Sequence, residues 1–123
     1  MKLRVLNNTL RFRLSQSEVV RFIAGQRIQS SVVFPGSGVL HYSIVANVDN
    51  APATALFDQD GIAIVMPGEA VATFADDDVI TIDASIGSDD RSLVIKIEKD
   101  FQCLVPRGED ESDLYVHPRS NVC

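Results

Sequence analysis

Leu10-Arg11-Phe12-Arg13-Leu14-Ser15-Gln16-Ser17-Glu18-Val19-Val20-Arg21-Phe22-Ile23-Ala24-Gly25 changes its hydrophobic period halfway along. Up to Leu14, apolar and basic residues alternate, the period of a strand with one buried face. From Ser15 the period is helical. Ser15 and Glu18 form an S-x-x-E capping box, and Leu14 and Val19 fit a hydrophobic staple. Val19, Phe22 and Ile23 make a buried stripe, and Gly25 supplies the left-handed stop.

Working outward, Leu3-Arg4-Val5-Leu6 repeats the apolar and basic alternation. Asn7-Asn8 between the two strands suits a two-residue hairpin turn. That turn sets Leu6 against Thr9, Val5 against Leu10, Arg4 against Arg11, Leu3 against Phe12 and Lys2 against Arg13. Past Gly25, Ile28 to Phe34 and Val39 to Val48 read as strands around the turn Pro35-Gly36-Ser37-Gly38. The first half is therefore ββαββ.

The second half repeats this order. Ala55 to Phe57 and Ile62 to Met66 are strands, Glu69 to Ala75 a short helix, and Val79 to Ile86 and Ser92 to Glu98 strands. A shift of about 52 positions overlays Leu10, Phe12 and Leu14 on Ile62, Ile64 and Met66. It also places Val19 on Val71, Phe22 on Phe74 and Ile28 on Ile80. With one residue of slippage, Leu40, Tyr42 and Ile44 fall on Leu93, Ile95 and Ile97. The expected fold is α+β, an antiparallel sheet or half-open barrel from two pseudo-repeated ββαββ units with two short helices. The units span residues 1–50 and 53–100. Residues 1–105 form one domain, and 106–123 an acidic extension expected to lie against it.

The composition fits one soluble domain: 123 residues, 46% hydrophobic and 23% charged. A chain this long buries roughly two thirds of its unfolded surface, enough for one core. Apolar runs such as Ile62 to Met66 fall far short of a membrane span, and Met1 to Asn8 holds no apolar core of signal-peptide length. A cytoplasmic protein with no membrane partner is expected. Cys103 and Cys123 then read as free thiols, with a disulfide between them as the alternative.

The net charge of -6 divides unevenly. Residues 1–30 hold six bases against Glu18, a local +5, and residues 31–123 hold five bases against sixteen acids, or -11. In the hairpin register, Lys2, Arg4, Arg11 and Arg13 share one face. Like charges facing each other across strands are destabilising, so something should compensate them. Candidates are the chain's own Glu109, Asp110, Glu111 and Asp113, an external anion, or solvent. The same acids are weak metal candidates. They lack the glycine and the ligand order of an EF-hand loop, so no metal and no cofactor is expected. Cys103, His117, Cys123 and His41 lack the short-spaced pairs of a zinc site. No G-x-S-x-G, P-loop or dinucleotide-binding motif occurs, so no catalytic residue is assigned.

Two resemblances add to this reading. Ile62 to Pro67, a short helix, Asp77-Asp78 and Val79 to Ile82 resemble the swapped-hairpin unit of AbrB- and MazE-type regulators. The first copy has Ser15 where proline would stand. The resemblance implies a dimer that binds DNA through basic residues on these units. Three consecutive aspartates, Asp76 to Asp78, occupy the second copy where such a contact would fall, so nucleic acid is not the expected partner. Lys99-Asp100-Phe101-Gln102-Cys103-Leu104, then Pro106-Arg107 and Glu109 to Asp113, is similar to the end of a small group of uncharacterised bacterial proteins. Their N-termini also read like Met1 to Arg4 and Leu10 to Leu14. That likeness brings no activity with it.

The leading function is a non-enzymatic binding or assembly module, with a homodimer as one option, working through the basic hairpin and the acidic segment. The alternative is a metal-assisted enzyme on a phosphorylated or polyphosphate substrate. A swapped-hairpin DNA-binding regulator is the second alternative.

Overall fold

The computed structural model describes residues 1–102 and 112–116. Cys103, Glu109, Asp110, Glu111, His117 and Cys123 lie outside the described residues. Along the chain run β1 (Lys2–Leu6), β2 (Thr9–Leu14), α1 (Gln16–Ile23), β3 (Ile28–Phe34), β4 (Gly38–Asn47), β5 (Thr54–Asp58) and β6 (Gly61–Pro67). Then come α2 (Gly68–Ala72) with a 3-10 turn over Thr73–Ala75, β7 (Thr81–Ile86), β8 (Leu93–Lys99), β9 (Phe101–Gln102) and β10 (Tyr115–Val116).

The local expectations fit closely. Asn7 takes a positive φ of 50° in the first turn, and β1 and β2 pair in the expected register, Arg4 against Arg11 and Lys2 against Arg13. The capping box of α1 is formed, and Gly25 stands at φ 88° after it.

The expected antiparallel sheet is corrected. The fold is α+β with two mixed four-stranded sheets, ordered β1-β2-β8-β7 and β3-β4-β6-β5. Each hairpin is antiparallel, but the central pairs β2–β8 and β4–β6 are parallel. Each helix carries the chain from a hairpin in one sheet to a hairpin in the other. The first sheet thus joins the hairpins at the two ends of this order, the second joins the consecutive hairpins β3–β4 and β5–β6, and sequence periodicity says nothing about either junction.

The overlay of the halves also needs one change. Phe12 pairs with Ile97 and Ile64 with Ile44, as a constant shift requires. Ile28, however, pairs with Ile44, whereas Ile97 is paired by Ile82. Ile82 is buried and takes the place expected of Ile80, which is 42% exposed. Between Ala75 and Ile82 lie six residues, against four between Ile23 and Ile28, so the buried position falls two residues later in the same alternation.

The core lies between the sheets. Phe12, Leu14 and Ile97 reach it from one sheet, and Ile44, Ile64 and Met66 from the other. The helices close it through Val19, Phe22, Val71 and Phe74. Phe22 and Phe74 meet edge-on with centroids 6.5 Å apart, a favourable aromatic geometry. Among the described residues no helix is long and apolar enough to cross a membrane.

Candidate functional site

Strand alternation sends Phe12, Leu14, Ile95 and Ile97 inward, so their neighbours form the outer face of the first sheet. One row across that face runs Arg4, Arg11, Lys96, Asp83, and the next runs Lys2, Arg13, Glu98, Thr81. All four basic residues expected at a site are therefore brought together. β8 adds Lys96 to their row.

Two of the four form ion pairs among the described residues. Lys2 Nζ lies 3.0 Å from Oδ2 of buried Asp100, and Arg11 Nε lies 3.7 Å from Glu98 Oε1. That Glu98 oxygen is buried and accepts no hydrogen bond, so Arg11 holds it by charge alone. Arg4 and Arg13 have no ion pair among the described residues. Sequence reading missed Glu98 and Asp100 because the β2–β8 register links positions more than eighty residues apart.

Asp113 stands elsewhere, at the N-terminus of α1. Its Oδ1 accepts from the Ser17 backbone N–H at 3.2 Å and its Oδ2 from the Ser17 hydroxyl at 2.7 Å. The Ser17 hydroxyl bond is the main cause that holds the Asp113 carboxyl below its usual range. On the same helix end, burial acts to raise the Glu18 carboxyl. Hydrogen bonds from the Met1 amino group and the Ser15 backbone outweigh it and leave it below 4.5.

Residues 112–116 dock here through more than charge. Leu114 is buried, and Tyr115 N–H donates to the Asp100 carbonyl at 2.6 Å. Lys99 continues the inward phase of Leu93, Ile95 and Ile97 and is itself buried. Its ammonium donates to the Asp76 carbonyl at 3.1 Å and lies 5.4 Å from the ring centres of both Phe74 and Tyr115. Cation–π contact thus replaces part of the hydration that burial removes. Burial raises the Tyr115 hydroxyl, with the Asp113 and Asp77 charges adding to the shift.

The second sheet has a different exterior. Ser31 Oγ lies 2.7 Å from His41 Nδ1, beside a cleft of about 270 Å³ lined by Gln29, Ser43, Asp58 and Asp60. Near it, Phe34, Val39, Leu40 and Phe57 wall an open hollow of about 380 Å³. Among the described residues no group of three His, Cys, Asp or Glu side chains is placed to hold a metal ion.

Arg4 and Arg13 have no ion pair among the described residues, and guanidinium geometry suits phosphate or carboxylate. No curated protein and no solved structure matches the chain. A family does, along residues 1–119, a span that takes in both sheets and the docked segment. The chain belongs to that family, a family of unknown function (DUF7009).

Proposed function

We propose that the protein is a non-enzymatic binding or assembly module whose working surface is the basic outer face of the first sheet, Lys2, Arg4, Arg11 and Arg13. One observation carries the reading: Arg4, Arg11 and Lys96 stand side by side across three strands. Adjacent like charges work against the sheet, by roughly 0.2–1 kcal/mol per pair. A row that lowers stability in the free protein is stabilised when an anion covers it.

The acidic C-terminal segment belongs to the same proposal as an internal counter-surface. Asp113 and the buried Leu114 support its docking against the domain formed by residues 1–105. The matching strand orders of the sheets support a pseudo-repeat of two ββαββ units.

The test is retention on heparin and phosphate resins at low salt. The full chain should bind despite its net negative charge and elute as salt rises, because exposed charge pairs are screened. Arg4→Gln/Arg13→Gln should elute earlier with no loss of Tm. No retention of the full chain, or retention that ignores both arginines, overturns the reading.

A further inference from the structure

Among the described residues, the two four-stranded sheets have four edge strands, β1 and β7 in one and β3 and β5 in the other. An edge strand presents unpaired backbone groups and is a ready template for another chain unless something blunts it. β1 and β5 occupy corresponding positions, each the outer strand of the hairpin that precedes a helix. Both are exposed, and both leave large apolar side chains open to solvent. Val5 and Leu6 are each 62% exposed, Leu56 58% and Phe57 82%.

Their charges are opposite. β1 carries Arg4, and β5 ends in Asp58. Asp58 Oδ1 takes the Asp60 N–H inside the turn, and no cation pairs with Asp58 among the described residues. We propose that β1 of one copy pairs antiparallel with β5 of a second copy, setting Arg4 against Asp58, Val5 against Phe57 and Leu6 against Leu56.

Three independent features agree on that register. First, the charges oppose. Second, apolar residues meet apolar residues at both remaining positions, the pairing that stabilises adjacent strands. Third, the backbone phase fits. In an antiparallel ladder, residues alternate in turning their N–H and C=O toward one neighbour or the other. Counted from the two-residue loops that close each hairpin, Val5 and Phe57 both turn theirs to the open edge. They would exchange the backbone bonds. Arg4 and Asp58 then form a closer, non-hydrogen-bonded pair with their side chains on the outer face.

The competing self-pairings are poorer. β1 against β1 brings Lys2 and Arg4 of both copies to a single seam. β5 against β5 leaves Asp58 without a cation. The contact joins two different strands, so it is heterologous and builds a ring or an open chain of copies.

The proposal concerns the edge of the first sheet and does not rest on anion binding by its face. Sedimentation velocity of the full chain at low salt and at about 0.5 M salt tests it. The wild type should associate with rising concentration, and salt should weaken the association. Arg4→Asp and Asp58→Arg should each raise the dissociation constant roughly tenfold, and Arg4→Asp/Asp58→Arg together should restore it. Phe57→Ser should dissociate the copies without lowering Tm, since Phe57 is exposed. A wild type that stays monomeric, an association indifferent to Arg4, or a double variant no better than the singles overturns the pairing. Phe57→Ser changes no charge and leaves the cationic face whole, so its retention on heparin separates the failure of this pairing from the failure of anion binding.

Discussion

The two sheets have nearly the same inside and opposite outsides. Phe12, Leu14 and Ile97 in the first correspond to Ile64, Met66 and Ile44 in the second, all fully buried. On the outer faces, Arg4, Arg11 and Lys96 correspond to Leu56, Ala63 and Ser43. Burial constrains one face of each strand to shape and volume, while the other is free to carry charge. The shared interior accounts for the fold. The unshared exterior is where binding can differ, and only the first sheet invests it with a row of cations.

The comparison breaks most sharply at Gly61, which corresponds to Thr9. Thr9 sits in β2 with its side chain half-buried. At Gly61 the backbone has φ 122°, and an added Cβ would run into the carbonyl of His41 on the paired strand β4. Neither the backbone angle nor that contact can be relieved without moving β4 off β6. Gly61→Thr should cost upwards of about 3 kcal/mol, whereas Thr9→Gly should cost about 1 kcal/mol through backbone entropy. Urea denaturation of both variants measures the difference. Equal costs would mean that the sheets are alike at this junction after all.

The next difference lies at the helix starts. Ser15 and Pro67 hold the same position, but only Ser15 caps with its side chain. Glu18 completes that cap, and its carboxyl is held below 4.5, so its stabilising effect is full above the ordinary carboxylate range. It is lost as pH falls through the lowered value. Glu18→Gln should therefore cost about 1 kcal/mol at neutral pH. The variant and the wild type should converge as the pH drops from about 5 to about 2. Chemical denaturation across that range decides it. A gap that persists in acid would place the effect in packing and not in the carboxylate.

Legibility in the sequence followed the distance between interacting residues. The β1–β2 register could be read because Asn7-Asn8 fixes it locally, and the α1 cap because Ser15 and Glu18 are three residues apart. The place of Ile82 could not, since it depends on how many residues the loop after α2 spends before re-entering the sheet. The parallel β2–β8 junction was equally hidden, and with it Glu98 and Asp100 as partners of Arg11 and Lys2. Lys99 is an intermediate case. Its inward phase is plain from Leu93, Ile95 and Ile97, but a buried lysine is improbable until Phe74, Tyr115 and the Asp76 carbonyl are seen around it.

The smallest effect separates a structural from a functional reading of the cationic row. Arg4 faces Arg11, while its counterpart Leu56 faces Ala63. If the row serves only the fold, Arg4→Gln should destabilise. If the row is held for an external anion, relieving one like-charge pair should stabilise the free protein by about 0.3 kcal/mol at low salt. The gain should fade near 0.5 M salt, where exposed charges are screened over roughly 4 Å. The companion substitution Leu56→Gln removes no charge, so its effect should not vary with salt. Thermal melts of the two variants at both salt concentrations therefore isolate the electrostatic part. A salt-independent loss on Arg4→Gln would assign Arg4 a packing role through its aliphatic stem and remove it from the binding face.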